Sequence, residues 1–114
     1  MAEQLSVINT ISVPKGMERE AEQIRDTYVA YFKAQEGFVS SSFYRCISRE
    51  DDDALRYVNI VVWASVEAFD KVVNLGFENV EGENADGMRV LGKGFPEPIV
   101  VSPGQYVCIA HTRG

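Results

Sequence analysis

The sequence predicts an α+β fold in which an antiparallel sheet carries two helices on one face. Three observations predict it. Leu5 to Val13 alternates with a period of two. From Met17 the apolar residues recur with a helical period. A second strand-then-helix change follows between Leu55 and about Leu75. With 114 residues, 46% of them hydrophobic and 25% charged, the chain has the length and composition of one ordinary globular domain, 1–114.

The elements follow in order. Leu5, Val7, Asn9, Ile11 and Val13 share one side of the first strand, and Pro14-Lys15-Gly16 stops it. Met17, Ala21, Ile24, Tyr28 and Phe32 form one apolar stripe of a helix. Glu18, Arg19, Glu22, Arg25 and Asp26 take the other faces. Gly37 is placed to stop the helix in a left-handed conformation. Phe38 to Ser48 suits a second strand, and Arg49 to Asp53 a charged turn. Leu55 to Trp63 is a third strand. Ser65 is placed to cap a second helix, Val66 to about Leu75. Gly76 to Gly104, rich in glycine and proline, reads as a long loop or arm with short ordered pieces such as Asp86 to Leu91 or Ile99 to Val101. Gln105 to Thr112 reads as the last strand. The order β-α-β-β-α-β is the ferredoxin-like arrangement.

Charge and cysteine usage narrow the function. Eleven Lys and Arg against seventeen Asp and Glu give a net charge of −6, with no basic cluster, so neither a nucleic-acid backbone nor an anionic membrane is an expected partner. No apolar run is long enough to span a bilayer and the amino terminus carries no secretory pattern, so the expected location is cytoplasmic. Cys46 and Cys108 are far apart and read as free, buried thiols. The single histidine, His111, has no second imidazole to share a metal, so no metal site is expected.

The third strand is apolar on nearly every residue, yet helices cover only one side of a sheet. Ile8, Val58, Ile60 and Val62 would form a bare apolar face, which a second copy of the chain would cover, most simply by two-fold symmetry.

Several segments resemble the antibiotic biosynthesis monooxygenase (ABM) domain. Val7 to Gly16 (VINTISVPKG) resembles its opening strand, Gln35 to Val39 (QEGFV) its helix-to-strand junction, and Arg56 to Phe69 (RYVNIVVWASVEAF) its third strand and second helix. The resemblance implies a homodimer closed into an α/β barrel, with a pocket between sheet and helices in each subunit. It also implies oxygenase chemistry on small aromatic substrates such as phenols, hydroquinones or polyketides, with no cofactor. A branch of the family degrades haem with an asparagine on the first strand, a tryptophan on the second helix and a histidine after it. Asn9 fits the first, but Val72 stands near the second position, and Glu78 to Glu83 holds no histidine, which disfavours haem.

Asn9, Trp63 and His111 are the candidate catalytic residues. Asn9 falls in phase with the buried side of its strand, where an amide must find a partner or orient a ligand oxygen. Trp63, the sole tryptophan, is suited either to the core or to stacking on an aromatic ligand. His111 is the one side chain that titrates near neutrality unperturbed, although a solvated histidine near the terminus is the plainer reading. Asn59, Tyr28, Tyr57 and Phe32 are candidate substrate-binding residues. No Gly-rich dinucleotide fingerprint is present. Two further readings remain open: a non-catalytic dimeric module that binds a small ligand, and an isomerase of a small signalling metabolite.

Overall fold

The computed structural model describes residues 3–48, 54–73 and 95–114. The element order is β1 (Leu5–Pro14), α1 (Glu18–Lys33), β2 (Phe38–Arg45), β3 (Ala54–Trp63), α2 (Val66–Val73) and β4 (Val100–Tyr106). The four strands form one antiparallel sheet in the order β2-β3-β1-β4. This is the ferredoxin-like α+β arrangement that the periodicities predict.

Alternation along the central strands decides which face the helices cover. Leu5, Val7, Ile11 and Val13 of β1, and Tyr57, Asn59, Val61 and Trp63 of β3, are all buried. They pack with Ala21 of α1 and Phe69, Val72 and Val73 of α2 in two neighbouring clusters. Ile8, Val58, Ile60 and Val62 point to the opposite face and are half-buried.

Local chemistry sets the ends of the elements. Gly16 and Gly37 adopt φ of 98° and 92°, a region that side chains with a Cβ avoid. Gly37 also lets the chain pass tightly against α2, because a Cβ there would collide with that of Ala68. The Ser65 hydroxyl accepts the Ala68 backbone N–H at 3.1 Å, so it caps α2 as its position predicts. Glu18 and Glu20 lie in the first turn of α1, at the positive end of the helix dipole.

The C-terminal region differs from the sequence expectation. The last strand is Val100–Tyr106, not Gln105 to Thr112, so the end of the proposed loop at 76–104 is itself β4; residues 107–114 form no strand. Pro103 and Gly104 read as breakers, but β4 is an edge strand pairing only with β1, where a residue without an N–H is tolerated. The thiols also differ: Cys46 is half-buried and Cys108 exposed, both free. The aspartate-rich turn and the pieces expected within 76–94 lie outside the described residues.

Gly16→Ala is expected to destabilise the protein by about 1–2 kcal/mol through backbone strain alone. Gly37→Ala should cost roughly 1–3 kcal/mol more, because overpacking against Ala68 adds to a similar strain. Chemical denaturation of the two variants measures both values.

Candidate functional site

A cavity that opens to solvent lies between the sheet and the two helices. Its walls come from every described element except β2. β1 contributes Val7, Asn9 and Ile11; α1 contributes Arg25, Tyr28 and Phe32; β3 contributes Asn59, Val61 and Trp63; α2 contributes Phe69 and Val73. Phe95 and Val101 complete it.

Most of the wall is aromatic or aliphatic. Tyr28 stacks between Phe32, with ring centroids 5.9 Å apart, and Phe95, at 5.6 Å. Trp63 meets Phe32 edge-on at 5.6 Å and Phe69 at 6.2 Å. Packed rings of this kind line the cavity with flat apolar faces.

The polar groups gather in one place. Register pairs Asn9 directly with Asn59 across β1 and β3, so the two amides stand abreast under the helices. Asn59 is only 5% exposed. Its Oδ1 accepts a hydrogen bond from Arg25 Nε at 3.1 Å, and the Ser41 hydroxyl stands 3.5 Å away as a further donor. Arg25 Nη2 donates in turn to Ser41 Oγ at 3.0 Å, and the guanidinium lies 4.8 Å above the centre of the Phe43 ring. Among the described residues, no buried side-chain nitrogen or oxygen lacks a partner.

The structure brings together Asn9, Asn59, Trp63, Tyr28 and Phe32, five of the seven candidates from the sequence. It does not bring Tyr57 or His111 to the cavity wall. Tyr57 is buried and stacks on Phe43 at 5.0 Å, and its hydroxyl donates to Glu22 Oε2 at 2.8 Å. Burial, and then the neighbouring Glu22 carboxylate, push the Tyr57 phenol up to about 12. His111 is exposed in the segment beyond β4, so no imidazole lines this cavity. Among the described residues, no group of three His, Cys, Asp or Glu side chains could hold a metal, and no helix is long and apolar enough to cross a membrane.

Arg25 is the wall residue that the apolar stripe conceals. It stands four residues after Ala21, three before Tyr28 and seven before Phe32, in phase with the inward side of α1. The sequence reading sets it on the outer faces with Glu22 and Asp26; the structure turns it inward, because its helical phase matches Ala21, Tyr28 and Phe32 and its side chain reaches Asn59. Phe95 lies in the proline-rich stretch, where no periodicity marks it.

The profile of the antibiotic biosynthesis monooxygenase family matches residues 4–75. The chain belongs to the ABM family. The match covers β1 through α2, the elements that supply most of the cavity wall. No curated protein matches the chain in sequence. Among solved structures it is similar to SnoaB, a cofactor-independent oxygenase from Streptomyces nogalater, at 23% identity and a TM-score of 0.63, covering 96% of this chain and 97% of that one. It is similar to a heme-degrading protein from Mycobacterium tuberculosis at 22% identity and a TM-score of 0.64, covering both chains fully at 100%. A dimeric ferredoxin-like protein from an uncultured marine organism matches at 13% identity and a TM-score of 0.62, over 96% of this chain and 99% of that one. At these identities the likenesses establish the shared fold.

The raised Tyr57 pKa carries a stability signature. Above the unfolded-state value near 10 the unfolded chain loses the phenolic proton while the folded chain keeps it, so this contribution is intact below pH ~10 and is lost as pH rises toward about 12. Glu22→Gln should bring the titration part of the way back toward the unfolded value, since burial remains. Ultraviolet difference titration at the tyrosinate band, against Tyr57→Phe as the blank, reads both.

Proposed function

We propose that the protein is a monooxygenase that acts without a cofactor on a small aromatic substrate, a phenol or hydroquinone. The observation that carries the reading is the cavity itself: an aromatic slot whose polar groups converge at Asn9, Asn59 and Arg25. Family membership supports the reaction class, and the fold likeness to a cofactor-independent oxygenase is consistent with it.

The chemistry follows from what such a wall supplies. A phenol that loses its proton to solvent becomes an electron-rich anion with charge on a ring carbon. The anion passes one electron to O₂, and the resulting radical pair joins to form a carbon–oxygen bond. The hydroperoxide then loses water to give a carbonyl, so that phenol and O₂ yield quinone and water. Rings of Trp63, Phe32 and Tyr28 hold the substrate flat and exclude water. The amides of Asn9 and Asn59 orient its oxygen, so that the work lies in positioning and in stabilising charge. His111 has no part in this scheme, because it stands off the wall.

We further infer that the functional unit is a homodimer. The half-buried face of Ile8, Val58, Ile60 and Val62 supports this, since no described helix packs on it.

Purified protein incubated with hydroxylated aromatics is expected to consume oxygen. Asn9→Ala and Asn59→Ala should each lower the rate by roughly 100-fold, the scale for loss of one oriented donor, and Trp63→Phe should weaken binding. No uptake from any member of the panel, by protein shown to be folded, would overturn the oxygenase. Sedimentation at micromolar concentration should report a dimer that Ile60→Asp dissociates; a wild-type monomer would remove the dimer.

A further inference from the structure

The mechanism above uses Arg25 only as part of the wall, yet the site is built around its charge. The side chain is 15% exposed, in a cavity whose other polar wall residues are Asn9, Asn59 and the phenol Tyr28. Burying a guanidinium is costly unless partners replace its water. Three of its five N–H groups have partners: Nε donates to Asn59, Nη2 to Ser41 and Nη1 to Asp26 Oδ1 at 3.3 Å. Of these partners only Asp26 is charged. Its side chain is 71% exposed on the outer side of α1, where solvent screens it. From the sheet side the groups facing the guanidinium, Asn59, Ser41 and Phe43, are all neutral. The other acid nearby on α1, Glu22, accepts from Tyr57. Among the described residues no acidic side chain lines the cavity, so its described wall carries a positive charge.

The hydrogen bonds also fix which way the Asn59 amide faces. An Nε–H can only donate, so the Asn59 atom beside it must be the oxygen. With Oδ1 held by Arg25 and approached by Ser41, the end left over for the cavity is Nδ2, a donor. A donor backed by a cation suits an oxygen that carries negative charge, and suits a neutral ether or carbonyl less well.

We propose that Arg25 is a positioning residue that makes the pocket select the ionised form of its ligand: an aromatic molecule whose anionic oxygen, a phenolate or enolate, sits against Asn59 Nδ2. Arg25 acts through Asn59, orienting and polarising its amide, and through its own field. The assignment deepens the aromatic-substrate reading above and rests on it.

The test uses the whole protein with two probes, a nitrophenol and its methyl ether, which share a ring but differ in the ability to ionise. Absorbance reports the pKa of the bound nitrophenol directly. In the wild type that pKa is expected to fall by about one unit or more below its value in water, equivalent to roughly tenfold tighter binding of the anion. Arg25→Gln keeps an N–H for Asn59 Oδ1 while removing the charge. It should return the bound pKa to near its value in water and weaken the nitrophenolate about tenfold, leaving the ether's affinity within about twofold. Arg25→Lys should restore part of the shift, since it keeps the charge without the fork that spans Asn59 and Ser41. Thermal melts confirm that each variant is folded. An unchanged bound pKa in Arg25→Gln, or equal loss for phenol and ether, would overturn the role of Arg25 and leave the aromatic pocket standing. If neither probe binds the wild type, the aromatic reading itself fails and this assignment goes with it.

Discussion

The pairing of β1 with β3 is the constraint from which the rest of the molecule follows. Side chains on neighbouring residues of a strand point to opposite faces, so a slip of one residue would turn each inward set outward. The observed register sets Leu5 against Trp63, Asn9 against Asn59 and Ile11 against Tyr57. Apolar pairs thus lie on either side of a single polar pair. The amides are placed together by the same arithmetic that buries the core, and no loop has to find its way to them.

An amide pair in such a layer is an expense in stability that a purely apolar pair would avoid, since each polar atom needs a partner once water is excluded. On the Asn59 side the structure meets that need from two other elements, with Arg25 from α1 and Ser41 from β2. A single substitution on the helix therefore reaches the orientation of a group on the central strand. Helix, central strand and neighbouring strand are tied by one short chain of hydrogen bonds. Phe43 on β2 completes it by packing under the guanidinium and against Tyr57.

What could be read from the sequence was what periodicity encodes. β1 and α1 have clear repeats, and the inward sets of β1 and β3 appear as expected, although β3 is apolar on nearly every residue and α1 adds Arg25 to its inner side. Asn9, Asn59, Trp63, Tyr28 and Phe32 reach the cavity because each falls in phase with a buried set. Two kinds of feature escaped. β4 carries Pro103 and Gly104, which oppose a strand by local propensity; its place at the sheet edge, a tertiary fact, makes them acceptable. Tyr57 and Arg25 exchanged roles for a similar reason. The sequence reading sets Tyr57 on the inner side and Arg25 on the outer faces, but the packed structure closes the tyrosine off with Phe43 and Glu22 while the arginine reaches the opening. His111 lies past the last paired residue, where alternation has no partner strand to act on.

Pro103 has one more consequence. An outermost strand normally offers a row of amide hydrogens and carbonyls on which a foreign strand can lengthen the sheet, and fibrils grow in that way. β4 is the outermost strand on its side, and Pro103 removes one hydrogen from the middle of it. An edge strand that carries a proline offers an incoming chain fewer donors than a strand of other residues would. That border is separate from the half-buried apolar face of Ile8, Val58, Ile60 and Val62, so the two would meet other chains by different chemistry, backbone hydrogen bonds at the one and side-chain burial at the other.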